Sequence, residues 1–439
     1  MTSEPRTVDV AGRIDQGALR PIQVRVAALC AVVAMLDGFD TQAIAFVAPV
    51  IAEEWAIDTA LFGPVFAAGL LGLTFGALGF GLVADKIGRK KAIVISTAIF
   101  GLFALFTVRA ESMEALFVYR FITGIGLGGA MPNAIALTSE YAPKRLRGTM
   151  VIVMFCGFPL GAALGGLISA RLISDFGWES VFLLGGALPI ALLPVLVFRL
   201  PESIRFLIHA DAGGRRIAGI LNQLDPDAGY RQEDRFILQE QKQPGLPLRH
   251  LFSDGRAIGT LLLWVAFFMN LLILYFLINW LPTVLQRAGF PLENAILGTV
   301  LLNAGGIAGG ILIGRLIDRR GPYTVLTVAY LGAAVFVALT GQASGSLAAA
   351  LALVLLAGFC VIGAQFGANA LAADFYPTAA RATGIGWALG IGRIGSIIGP
   401  FAGGVLIALA WHTSDIFLVS ALPALVASAA VFLMGKSAR

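Results

Sequence analysis

Along the chain, apolar runs alternate with short charged or turn-rich breaks. A bilayer core takes roughly 20 helical residues to cross, and cutting at the breaks predicts twelve helices of that kind. They cover 24–50, 61–84, 91–109, 114–138, 148–171, 179–198, 256–281, 293–317, 321–341, 346–371, 382–408 and 413–435. The one long polar stretch among them, Pro201 to Gly255, divides the runs six and six. The pattern therefore predicts an all-α membrane protein with a short segment at 1–23, a six-helix bundle over 24–198, a linker over 199–255, a second six-helix bundle over 256–435 and a tail at 436–439.

Composition points the same way. Of 439 residues, 58% are hydrophobic and 13% charged, too few polar groups to build a water-facing surface. The opening MTSEPRTVDVAGRIDQGALR is polar and of mixed charge, unlike a cleavable leader. The net charge of +5 is scattered over short loops, which argues against nucleic acid as a partner. Those basic residues set the orientation instead. Breaks after even-numbered runs carry Lys86, Arg89, Lys90 and Lys91, then Lys144, Arg145 and Arg147, then Arg319 and Arg320, whereas PVIAEEWAIDTA after the first run has acids and no base. The positive-inside rule then places both termini in the cytoplasm. Cys30, Cys156 and Cys360 each fall inside a run and are expected to be packing residues, not a disulfide framework. No nucleotide-binding GxxxxGK[ST] loop is present, and neither a metal nor any other cofactor is expected.

The chain repeats itself. GLVADKIGRKK after the second run is matched by GRLIDRRG after the eighth, aligning Asp85 with Asp318. EYAPKRLRGT is matched by DFYPTAARAT, aligning Pro143 with Pro377 and Arg147 with Arg381 at nearly the same offset. Two parallel halves around a central linker are the layout of a secondary transporter whose site lies between them near the bilayer midplane. GLVADKIGRKK, with Asp85, Gly88 and Arg89, resembles the loop motif of the major facilitator superfamily, and PESIRFL resembles the segment after its sixth helix. LDGFD, YRFITGIGLGGAMPNAIALTSEYAP and MFCGFPLGAALGG together are similar to the aromatic acid:proton symporters, bacterial carriers of compounds such as 4-hydroxybenzoate and protocatechuate. The resemblance covers essentially the whole chain. It implies the major facilitator fold of two pseudo-symmetric bundles, and a carrier, not an enzyme, that imports benzoate-like aromatic carboxylates with protons across the bacterial inner membrane as a monomer.

Two acids stand where lipid would be. Asp37 and Asp40, at i and i+3 of the first run, share a helix face, with Gly38 leaving room for another backbone. An aspartate at a helix centre costs on the order of 2.5–3.5 kcal/mol on insertion scales, so the couplet is expected to face a cavity and to be functional. His209, His250 and His412 lie in or beside loops, and no other acid falls inside a run away from its ends. The coupling proton is therefore assigned to Asp37 or Asp40. Arg120 and Arg393, one per half, are either receivers for an organic anion or neutralisers of the couplet. The resemblance implicates all four residues in transport. Asn303, Tyr275 and Trp387 are the candidates for lining the ring-binding cavity.

The repeated corners hold Asp85 with Arg89, Asp318 with Arg319, Glu140 with Arg147 and Asp374 with Arg381. Surface pairs of this kind are worth about 0–1 kcal/mol, but the resemblance implies a charge lock that closes this side when the carrier opens outward. Two other readings remain open at this stage. GSIIGPFAGG in the eleventh run is a pattern antiporters show in their fifth helix, which leaves export as an alternative. A sensor that binds without transporting is the other, opposed by the lack of a signalling-sized soluble domain.

Overall fold

A computed structural model describes residues 6–210, 213–238, 251–253, 255–343, 345–376 and 378–437, without the side chains of residues 378, 379, 381, 382 and 437. The first half contains α1 (Val10–Gln16), α2 (Pro21–Glu54), α3 (Phe62–Ile87), α4 (Arg89–Thr107), α5 (Met113–Tyr141), α6 (Arg147–Phe155), α7 (Gly157–Phe176) and α8 (Glu179–Arg199). Two short helices follow, α9 (Ile204–His209) and α10 (Gly214–Leu224). The second half contains α11 (Ala257–Arg287), α12 (Leu292–Arg320), α13 (Pro322–Thr340), α14 (Leu347–Phe375), α15 (Thr378–Ala408), α16 (Thr413–Ser420) and α17 (Leu422–Ser437). Among the described residues, twelve helical stretches are long and apolar enough to cross a membrane, α6 with α7 forming the fifth and α16 with α17 the twelfth. The chain is a multi-pass membrane protein.

Several helices overrun the hydropathy limits. The first predicted run, 24–50, sits within α2, whose 34 residues would extend about 51 Å at 1.5 Å per residue. Hydropathy falls at the first charges, but a helix ends only where its backbone bonds do. Pro21 suits the first turn of α2 because its missing N–H has no helical partner there anyway, and Gln23 accepts the Arg20 N–H at 2.7 Å. The fifth run, expected as one helix, is interrupted at Cys156. Pro159 has no N–H to give the Phe155 carbonyl, and α6 ends at Phe155. Cys156, expected to pack, is exposed at this break, whereas Cys30 and Cys360 are buried as expected.

Close helix approach in the first half depends on glycine. A Cβ on Gly38 would lie 2.0 Å from the Phe158 carbonyl oxygen, so α2 and α7 touch backbone to backbone beside the acidic couplet. That close approach matches the role expected of Gly38.

The apolar core shows how the halves meet. One buried cluster draws on both, joining Phe46, Val47 and Phe66 to Trp280, Ile296 and Leu302. A second is confined to residues up to Leu238, and a third to residues from Leu251 onward. The shared cluster lies toward the end carrying Glu53, Glu54 and Asp58, where Arg287 Nη2 donates to Thr59 Oγ1 at 2.8 Å and lies 3.6 Å from Asp58 Oδ1. Toward the base-rich end each half has a core of its own. The halves thus share one apolar core toward the acidic end and keep separate cores toward the basic one.

The sequence pattern predicts neither of two short strands. β1 (Thr7–Asp9) and β2 (Arg235–Ile237) pair in parallel, Thr7 opposite Arg235. With α1, α9 and α10 they place Val8, Ile14, Leu207, Ile217 and Leu221 in the first half's own core. Asp234 fastens the pairing by accepting the Arg231 N–H at 2.9 Å and the Arg6 N–H at 3.2 Å. Those backbone N–H groups, Arg231's first, hold its carboxyl below the usual carboxylate range. Its contribution is complete above that usual range and is lost as pH falls through the depressed value.

Candidate functional site

The acidic couplet divides into two environments. Asp40 is fully enclosed, and Arg120 of α5 grips it: Nη1 donates to Oδ1 at 3.1 Å, and Nη2 donates to Oδ2 at 2.9 Å and to the Asp40 carbonyl at 3.0 Å. The guanidinium also lies over the Phe182 ring, 5.6 Å from its centroid. A forked, buried pair of this kind has excellent geometry and few donors left over, with Arg120 Nε alone lacking a partner. Of the two sequence readings of Arg120, neutraliser is the one this geometry fits.

Asp37, 3% exposed, has no such clamp. It accepts from the Thr41 hydroxyl, one turn along α2, at 3.1 Å. In the other half, Arg393 stands on α15. Arg393 in turn has the Tyr275 hydroxyl of α11 at 3.4 Å, and among the described residues no carboxylate stands within ion-pair distance of it. Its remaining guanidinium donors are therefore available to an anion. Beside the couplet lies a narrow cleft, lined among others by Thr41, Phe66, Leu70, Arg120 and Asn279.

The expected ring-lining residues separate. Tyr275 stays with Arg393. Asn303 is buried and exchanges two hydrogen bonds with Gln42, Nδ2 to Oε1 at 3.0 Å and Gln42 Nε2 back to Oδ1 at 3.3 Å, so it joins α2 to α12 across the halves. Trp387 is 43% exposed and stacks on Trp264 at 5.9 Å, about one and a half turns from Arg393 along α15. Face assignment explains the difference. Six residues on a helix turn through about 600°, which puts Trp387 and Arg393 on different sides.

The corner residues are tied mainly within the first half. Arg89 Nε donates to Glu140 Oε1 at 2.6 Å, Glu140 also accepts from Ser203, and Arg147 bonds Asp15 of α1 and the Ser139 carbonyl. Gly88 turns there with φ of 99°, and a Cβ would sit 2.3 Å from Glu202 Oε2. Asp85, Asp318, Arg319 and Asp374 are exposed. The side chain of Arg381 lies outside the described residues. These pairings accord with halves that keep separate cores toward this end.

Sequence reading passed over Thr41, Gln42, Asp15 and Ser203. Thr41 had a signal, since it stands four residues from Asp37 and so shares its helix face. Gln42 and Asn303 are 261 residues apart, and nothing local links them.

The chain matches the family model described as "Major Facilitator Superfamily" over residues 30–367 and 305–438. It is 45% identical to the 4-hydroxybenzoate transporter PcaK of Pseudomonas aeruginosa, covering 98% of this chain and 96% of that protein. Identity is 41% to the gallate transporter of Pseudomonas putida, over 98% and 96%, and 35% to the benzoate transport protein of Acinetobacter baylyi, over 98% and 93%. Among solved structures, an inward-facing, unoccupied bacterial homolog of the human lysosomal transporter Spinster superposes with a TM-score of 0.74 at 17% identity, covering 96% of this chain and 98% of that one. A D-xylose-proton symporter gives 0.70 at 18% identity, over 91% and 96%.

Proposed function

The chain belongs to the major facilitator superfamily, and from that premise we propose that it imports aromatic carboxylates together with protons across a bacterial inner membrane by alternating access, with both termini cytoplasmic. The observation that carries this reading is that, among the described residues, the first half keeps a buried acid without an ion pair, Asp37, and the second half an arginine, Arg393, whose fork holds only a tyrosine hydroxyl. An organic carboxylate completes Arg393, and a proton neutralises Asp37. Three relatives with aromatic acids in their names support the substrate class.

In this reading Asp37 is the group that gains and loses the proton. Asp40 serves with Arg120 as a fixed pair that keeps α2 against α5. Tyr275 orients the Arg393 fork, and Gln42 with Asn303 holds the acidic end shut while the site faces the base-rich side. Reopening there requires the halves to part at Arg287 and Asp58 and to close at the basic corners, where Asp85, Arg89, Glu140, Arg147, Asp318, Arg319, Asp374 and Arg381 are placed to meet.

The test is uptake of labelled 4-hydroxybenzoate into proteoliposomes under an imposed inward proton gradient, with and without a protonophore. Import that collapses with the protonophore is expected. Flux only in the opposite direction would favour the exporter, and binding without flux would favour the sensor. In the same assay Arg393→Ala is expected to raise KM about 10- to 100-fold, because a hydrogen bond to a charged group contributes about 1.5–3 kcal/mol and each 1.4 is tenfold. An unchanged KM would remove Arg393 from the site.

A further inference from the structure

The second half contains a run of amides that the carboxylate and proton steps leave unused. Asn270 Nδ2 of α11 donates to Gln365 Oε1 of α14 at 2.6 Å, and Gln365 Nε2 donates to Asn369 Oδ1 at 3.3 Å. Asn270 is completely enclosed, and among the described residues its Oδ1 has no hydrogen-bond partner. Gln365 and Asn369 are only partly buried. An orphaned acceptor at membrane depth is costly, and such groups in folded proteins call for an explanation.

Its position supplies one. A Cβ on Gly392 would meet Leu271 Cδ1 at 2.6 Å and the Phe267 carbonyl oxygen at 3.3 Å, and one on Gly395 would meet the Phe268 carbonyl oxygen at 2.2 Å. These contacts bracket Asn270 on one helix and Arg393 on the other, so the two side chains leave their helices at the same depth. Next to Gln365, the ring of Phe366 meets Phe155 of the other half edge-on at 6.3 Å, and Phe155 stacks with Phe158 at 6.4 Å. An anion receiver, a set of aromatic walls and an amide relay therefore share one level of the molecule.

We propose that Asn270, Gln365 and Asn369 read a ring hydroxyl, making this a carrier selective for hydroxylated aromatic acids over unsubstituted ones. The proposal rests on the reading of the chain as an aromatic carboxylate carrier. A phenolic hydroxyl donates one hydrogen bond and accepts others, so it inserts into a relay of amides without leaving either neighbour short. The idle Asn270 Oδ1 accepts the hydroxyl proton while a spare amide N–H of Gln365 or Asn369 donates to the hydroxyl oxygen, and the bond from Asn270 Nδ2 to Gln365 Oε1 is kept. A substrate without the hydroxyl leaves these polar groups unmatched, and a site built around a hydrogen bond discriminates in that way far better than one built on shape.

The experiment compares KM for 4-hydroxybenzoate and for benzoate in proteoliposomes holding the full chain, its Asn270→Leu variant and its Asn369→Leu variant. Wild type is expected to favour 4-hydroxybenzoate, and each variant to lose roughly tenfold of that preference, the loss falling on the hydroxylated acid. If Asn270→Leu fails to fold, the partly exposed Asn369 gives the deciding variant. Wild-type transport of both acids with the preference unchanged in a folded variant overturns the inference and leaves the carrier reading standing. A wild-type protein that moves neither acid overturns both.

Discussion

Asp37→Asn is expected to keep exchange and lose accumulation. Asparagine has the size of aspartate and retains an oxygen to accept the Thr41 hydroxyl found at 3.1 Å, so the local packing of α2 survives. It has no proton to gain or lose. With wild type, an imposed difference of about one pH unit supports roughly tenfold accumulation per coupled proton, since that difference corresponds to about 1.4 kcal/mol. The variant should instead equilibrate its substrate while still exchanging labelled for unlabelled acid across the same membrane. Exchange measures substrate binding and the alternation of the loaded carrier, so a variant that exchanges but does not accumulate isolates the proton step. Full uphill uptake by Asp37→Asn would overturn the assignment. Asp40→Asn serves as the counterpart: it removes charge from a pair already closed by Arg120, and its damage should appear in exchange as well as in accumulation.

Arg120→Ala should cost the protein its fold. The guanidinium is 3% exposed and Asp40 entirely enclosed, so truncation leaves a buried carboxylate without its partner. Breaking a buried pair from one side costs about 3–5 kcal/mol, a large part of the stability that a folded protein has. The expected result is a sharp drop in monodisperse protein after detergent extraction, with partial recovery in the double variant Arg120→Ala, Asp40→Asn, where no charge is stranded. A single variant that extracts normally and only raises KM would return Arg120 to the substrate site. The contrast with Arg393→Ala is the useful one, because among the described residues that arginine pairs with no carboxylate, and its loss should spare the fold.

How far the sequence reaches depends on the range of the interaction. Span number, the division into halves and the acidic couplet are local or periodic features, and hydropathy, the repeat around Asp85 and Asp318, and the i, i+3 spacing of Asp37 and Asp40 expose them. Arg393 was legible for the same reason, as an isolated charge in an apolar helix. What the couplet does was not. Asp40 and Arg120 are 80 residues apart, and only the crossing of α2 with α5 shows that one acid is consumed by a structural pair while the other is spared. Trp387 illustrates a different failure: composition marks an aromatic residue near a candidate site, but the helix phase that turns it toward Trp264 depends on how α15 lies against α11. The corner residues were found as motifs, yet the partner of Arg147 is Asp15, on a helix of seven residues too short to be told from loop by its pattern.

The strand formed by Thr7–Asp9 has to wait for its mate. Translation proceeds at roughly 5–20 residues per second, so Arg235–Ile237 leaves the ribosome on the order of 10–50 s after the residues it will pair with. Six transmembrane helices are threaded in the interval. The two strands can zip together only if those insertions have brought both segments out on one side of the bilayer, and an odd number of successful crossings would leave them on opposite faces. The small parallel clasp can thus close only when an even number of crossings separates its two strands.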